Sequence, residues 1–249
     1  MPQNESRRLR IALVVVGNEV LSGDTQDTNG HYLAQRLSAL GHGLSLIVTI
    51  PDTLDAFREY VKPLIPKFDV IFTSGGIGPT HDDITREALA DIFGVGIRPH
   101  PEAMRALEEF YGERINDNVR RMAHLPEGAE LVANVRTGAP GFKIGNVYAF
   151  AGVPQIFRDM FDEVAPSLGA RPFTKLELLV HIGESRFADV MREAERKFPA
   201  AQIGSYPRIG GEYRVKVIVK SEDEAQAREC MEFIRAGAEE AERRESGVR

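Results

Sequence analysis

The chain has 249 residues, 43% of them hydrophobic and 27% charged, with a formal net charge of -6. That balance suits one large domain, or one domain with a small appendage, and excludes a disordered, fibrous or disulfide-stapled chain. An acidic chain also lacks the positive field of a general nucleic-acid binder, so no nucleic-acid partner is expected, and a phosphate ligand must be held by backbone N–H groups and a few chosen cations.

Residues 1–10 are polar, and no signal-peptide core follows them. The apolar run at 11–16 is too short to span a membrane. These features predict a cytoplasmic protein without membrane association. The run itself, Ile11-Ala12-Leu13-Val14-Val15-Val16, reads as a strand buried on both faces. Helical spacing follows over 28–40, through Tyr32, Leu33, Leu37 and Leu40, and stops at Gly41. A second strand is predicted over 44–50. A helix is predicted over 52–65, with Leu54, Phe57, Val61 and Ile65 inward and Pro63 disturbing its last turn. Residues 69–73 form a third buried strand, followed by a glycine loop and a helix to about 93. This alternation predicts an α/β sheet with right-handed crossovers, and ligands in such sheets sit beyond the carboxyl ends of the strands. The loops 17–29 and 74–83 fall there.

Further on, 101–122 reads as a helix, 147–150 as a strand, 155–164 as a helix and 166–172 as a linker. Then the pattern changes. Strands are predicted at 176–182, 202–207 and 213–220, and helices at 185–198 and 222–242. This is a small α+β unit of βαββα order. The expected domains are therefore 9–168 and 173–245. The single cysteine, Cys230, lies on a helical pattern and reads as an inert packing residue.

The glycine loop carries the sharpest chemical signal. Gly75, Gly76 and Gly78 let a ligand approach the backbone, Pro79 stiffens the exit, and the next helix offers its amino end to phosphate. Asp82 and Asp83 would repel a phosphate unless a cation lay between, so the pair are candidate ligands for Mg²⁺ or another divalent ion. The plainer alternative is that an aspartate there only caps a helix. None of the six histidines has metal-ligand spacing with another histidine or the cysteine, and only His81 lies inside the loop.

The stretch Ser74-Gly75-Gly76-Ile77-Gly78-Pro79-Thr80-His81-Asp82-Asp83-Ile84-Thr85 resembles the signature of the molybdopterin-binding superfamily. That group includes the molybdopterin adenylyltransferases and the N-terminal domain of CinA-type competence/damage-inducible proteins. Gly17-Asn18-Glu19-Val20-Leu21-Ser22-Gly23 with Asp27-Thr28-Asn29, Gly138-Ala139-Pro140-Gly141-Phe142, and Ala151-Gly152-Val153-Pro154 are similar to further motifs of the CinA branch. Asn18, where the branch often has Asp, and Phe150-Ala151, where Leu-Pro is common, depart from it.

The resemblance implies a three-layer α/β/α fold around a mostly parallel sheet, with the βαββα domain appended. It implies that Asp83 is catalytic and works with Mg²⁺, and that Asp52, after the second strand, is a second functional aspartate. Asp52 has its own plainer reading as a helix cap. Gly152 and Pro154 would close the pocket, with Gly75, Gly76, Gly78 and Thr80 on the ligand. Glu19, Asp27 and Asn29 are further contact candidates, though Asn29 could serve only to start a helix. The implied ligand is a nucleotide or molybdopterin, and the implied assembly a homodimer or homotrimer. The implied activity is pyrophosphatase chemistry on an ADP-ribose- or FAD-like dinucleotide. The alternatives are adenylyl transfer to molybdopterin, or a binding module without turnover. The amidohydrolase domain of longer CinA proteins has no counterpart in these 249 residues, and its activity is not carried over.

Overall fold

The computed structural model describes residues 8–134, 136–170, 173–245 and 247. The chain divides between residues 170 and 171 into two compact units.

The first unit is built on β1 (Arg10–Val16), β2 (Gly43–Ile50) and β3 (Val70–Ser74), as the apolar runs require. Six of the seven β1 residues are buried, and so is all of β3. Between them come α1 (Asn18–Leu21), α2 (Asn29–Ala39) and the short α3 (Leu54–Ala56). After β3 follow α4 (Thr85–Phe93), β4 (Ile97–Pro99), α5 (Pro101–Tyr111), α6 (Asp117–Arg121), β5 (His124–Pro126), β6 (Glu130–Val132), β7 (Gly141–Ile144), β8 (Val147–Phe150) and α7 (Pro154–Val164). The six-stranded sheet has the order β2-β1-β3-β8-β7-β6. β2, β1, β3 and β8 are parallel neighbours, whereas β7 and β6 run antiparallel at the edge. Helices cover both faces, giving the expected three-layer α/β/α fold around a mainly parallel sheet. Its core centres on Phe72, whose ring lies 5.3 Å from Tyr148, 5.4 Å from Phe150 and 5.7 Å from Phe161.

Two predicted helices are interrupted. Over 52–65, α3 passes into a widened π turn (Phe57–Val61) and a tight 3-10 turn (Lys62–Leu64). Pro63 has no N–H to continue the ladder, and the turns on either side absorb the break. Phe57 and Val61 do face the core, but Leu54 is exposed. Over 101–122 the break is at Gly112 (φ 52°, ψ -127°), and α6 starts afresh with Asn116 accepting from the Val119 amide at 3.0 Å. Strands β4, β5, β6 and β7 were not expected.

The second unit holds β9 (Thr174–Val180), α8 (Ala188–Lys197), β10 (Gln202–Pro207), β11 (Val215–Ser221) and α9 (Glu224–Glu245). This is the βαββα order, with an antiparallel sheet β10-β11-β9. Leu178, Val180, Val215, Val217 and Val219 alternate inward against Phe187, Ala227, Met231 and Ile234. Cys230 is fully buried there, and burial pushes its thiol up to about 11, which makes it a poor nucleophile. Residues 1–7, 135, 171–172, 246 and 248–249 lie outside the described residues. Among the described residues no helix is long and apolar enough to cross a membrane.

Candidate active site

The strand order places the carboxyl ends of β1, β3 and β8 side by side, so the loops that leave them meet. They enclose a cleft of about 620 Å³. Glycine is required where the loops touch. Gly75 has φ 113°, and a Cβ there would stand 2.2 Å from the Val16 carbonyl oxygen. A Cβ on Gly152 would come within 3.3 Å of the Gly75 Cα. The Gly75 amide donates to the Phe150 carbonyl at 3.0 Å. Thr85, the first residue of α4, clamps the loop from below. Its hydroxyl donates to the Gly75 carbonyl at 3.0 Å and its amide to the Gly76 carbonyl at 2.9 Å.

Glu19, Asp52, Gly75, Gly76, Gly78, Asp82, Asp83, Gly152 and Pro154 all line this cleft. Asp27, Asn29 and Thr80 do not. The Asp27 carboxylate accepts from the Gly30 amide at 2.9 Å, which fixes the start of α2. Asn29 is buried, and its side-chain amide donates to Ser74 Oγ at 2.9 Å and the Gly152 carbonyl at 2.8 Å. It is a strut behind the cleft wall, tying α2 to the ends of β3 and β8. Thr80 Oγ1 lies between two carboxylates, 2.5 Å from Asp82 Oδ1 and 2.6 Å from Asp83 Oδ2. His81 is exposed and does not line the cleft.

None of the three aspartates with a plainer reading, Asp52, Asp82 and Asp83, caps a helix. α4 begins at Thr85, two residues past Asp83. Asp83 instead turns back and accepts from the Gly78 and Thr80 amides, both at 2.8 Å. The two amides expected to wait for phosphate are therefore engaged. At α3 the cap is Thr53, which accepts from the Ala56 amide at 3.2 Å, leaving Asp52 to face the cleft and receive the Asn18 amide at 2.8 Å.

Four carboxylates, those of Glu19, Asp52, Asp82 and Asp83, thus line the cleft, and no lysine or arginine lines it among the described residues. Burial, with the charges of Glu19 and Asp82, raises Asp52 above the ordinary carboxylate range. The Thr80 hydroxyl holds Asp82 below it. Because the folded pKa of Asp52 is raised, its ionisation costs stability, a cost absent in acid and complete above that raised pKa. Asp52→Asn can still accept from the Asn18 amide. It should therefore melt higher than the wild type at neutral pH, with the gain vanishing as pH falls through the raised pKa. A melting series across pH checks this, and a gain independent of pH would contradict it.

The described residues contain no group of three or more His, Cys, Asp or Glu side chains placed to hold a metal. Asp82 and Asp83, with the Thr80 hydroxyl between their carboxylates, are of the chemistry a magnesium ion takes: one or two protein carboxylates, with water and ligand phosphate completing its shell. Sequence reasoning missed the cleft's far wall, formed by Tyr111, Met122, Asn134, Thr137 and Ile156. It also missed Arg86, a buried arginine that donates to the carbonyls of Ile77 at 2.5 Å and Gly78 at 3.0 Å. The only available signal for the far wall was the motif at 138–142.

Residues 12–170 match the probable molybdopterin binding domain, and residues 172–244 match the middle domain of FAD synthase. A protein of Aeropyrum pernix is 34% identical over 93% of this chain and 94% of its own length. A putative competence-damage inducible protein of Symbiobacterium thermophilum is 34% identical over 86% of this chain, and the match spans 54% of that relative. Among solved structures, CinA of Thermoplasma acidophilum superposes with a TM-score of 0.59 at 26% identity, covering 64% of this chain and 98% of that one. With its motifs, its sheet order and these matches in agreement, the chain belongs to the molybdopterin-binding domain family, as a CinA-type member with an appended domain similar to the middle domain of FAD synthase.

Proposed function

We propose that the cleft hydrolyses the diphosphate bond of a dinucleotide of the ADP-ribose or FAD kind, with a divalent cation such as Mg²⁺. The observation that carries this reading is the pairing of a glycine loop with four carboxylates and no lining cation. A bare phosphate would be repelled there, whereas a phosphate bringing a divalent ion would be attracted. When bound, the ion would neutralise phosphate charge and polarise the phosphorus. Asp82 and Asp83 would hold it. The apolar wall of Tyr111, Met122 and Ile156 offers a surface for a flat heterocycle. Asp52, raised above its ordinary value and lining the cleft, would take a proton from the attacking water. The water oxygen forms the new bond to phosphorus, the bridging P–O bond breaks, and two monophosphates leave.

The second reading is adenylyl transfer from ATP to molybdopterin, favoured by the match of residues 12–170 to the molybdopterin-binding domain. A single screen separates the two. The protein and Mg²⁺ are offered ADP-ribose, FAD, NAD, and ATP with and without molybdopterin. The expected result is AMP release from ADP-ribose or FAD, reduced to background in Asp83→Asn. In Asp52→Asn the rate falls about a hundredfold, and the wild type's acid limb, set by Asp52, disappears. AMP transfer only with molybdopterin present would move the chain to the second reading. Full activity in Asp83→Asn would refute both assignments of that residue.

A further inference from the structure

The glycine loop already holds an anion, its own. Asp83 Oδ1 accepts from the Gly78 amide at 2.8 Å, and Oδ2 accepts from the Thr80 amide at 2.8 Å and lies 2.6 Å from the Thr80 hydroxyl. A Cβ on Gly78 would stand 2.6 Å from Asp83 Oδ2, so the carboxylate rests directly on the loop backbone. Pro79, between the two donors, has no N–H to add. Behind the loop, the buried Arg86 guanidinium donates to the Ile77 and Gly78 carbonyls. Across a trans peptide the carbonyl and the N–H point in opposite directions. Anchoring the Ile77 carbonyl on Arg86 therefore aims the Gly78 amide at Asp83. The loop backbone is stretched between a cation on its carbonyl side and a carboxylate on its amide side.

We propose that Asp83 is the resident occupant of the loop's phosphate seat, that Arg86 is the positioning residue aiming the seat's Gly78 amide, and that a ligand phosphate enters by displacing the carboxylate. This rests on the reading of the cleft as a phosphate site and adds what closes that site before ligand arrives. Carboxylate and phosphate oxygens accept from the same donors, and their like charges repel, so each excludes the other. Displacement also frees both Asp83 oxygens at the moment a phosphate is beside them. Phosphate and cation binding are coupled as a result.

The test is calorimetric titration of the full chain with inorganic pyrophosphate, without divalent ions. Asp83→Asn is expected to bind about tenfold more tightly than wild type, because a charge-assisted competitor is gone. Asp82→Asn removes the same charge next door without releasing a loop amide, and its exposed site limits the gain to less than about threefold. Adding Arg86→Lys to Asp83→Asn keeps the positive charge but loses the two-pronged hold on the carbonyls, and should cancel the gain. Equal gains in both aspartate variants, or none in Asp83→Asn, would overturn the proposal. A second measurement needs no variant. In the wild type, the Gly78 and Thr80 amide resonances should shift as pyrophosphate saturates the site, and the Asp83 side-chain carboxyl resonance should shift with them as the carboxylate leaves the loop. Amides that stay in place at saturation would also overturn it. Neither measurement reads turnover, so a failed hydrolysis screen leaves their outcome standing.

Discussion

Gly75→Ala is expected to lower the melting midpoint by roughly 10 °C, an effect of about 3 kcal/mol in a protein of this size. The added Cβ would lie 2.2 Å from the Val16 carbonyl oxygen, on a backbone at φ 113° that side-chain-bearing residues rarely adopt. Neither partner can step aside. Val16 ends a strand paired on both sides, and Gly75 is tied to Phe150 across the sheet end. Gly152 closes the remaining direction. The loop must shift, and Gly76 and Gly78 shift with it, so ADP-ribose binding should be lost together with stability. Calorimetry and equilibrium dialysis read both effects. Gly43→Ala is the internal control, because a Cβ there meets nothing within 4 Å and should leave the midpoint and binding unchanged. A Gly75→Ala protein that melts and binds as wild type would show that the loop does not adopt this conformation.

Phe72→Ala should cost about 4 kcal/mol. Its ring is fully buried and meets Tyr148 and Phe150 on β8 and Phe161 on α7. Truncation removes apolar contact, leaves a cavity and breaks three favourable ring pairs. Phe72→Leu keeps most of the volume and should cost no more than about 1.5 kcal/mol. The chain has no tryptophan. Urea unfolding followed by far-ultraviolet circular dichroism is therefore the natural readout. Similar costs for alanine and leucine would mean that volume at Phe72 does not govern the stability of this unit.

The strands buried on both faces were legible because continuous apolar runs such as 11–16 have few other homes. β6 and β7 were not. They are three and four residues long and include Glu130, Gly141 and Lys143. Their strand character comes from pairing with one another, Glu130 opposite Lys143, which no local periodicity reveals. Asp52 and Thr53 show a finer limit. Two neighbouring residues can each cap a helix, and only the backbone decides that Thr53 does so while Asp52 turns to the cleft. Motif resemblance located the glycine loop, but not that Asp83 would occupy its amides. Arg86 was hidden because its partners are backbone carbonyls, which have no identity in a sequence. The far wall draws Tyr111, Met122 and Thr137 from separate segments, with nothing in their spacing to join them.

The strand order also bears on how this cleft comes into being as the chain folds. β3 pairs with β1 early in the chain, but its other neighbour is β8, with Ile71 opposite Val147. Such distant pairings are slow to form because a long loop must close before they are rewarded. During synthesis the glycine loop is therefore made well before the segment that roofs it, and Gly152 reaches Gly75 only after β8 has docked. Ligand-binding competence arrives late, as a consequence of completed topology.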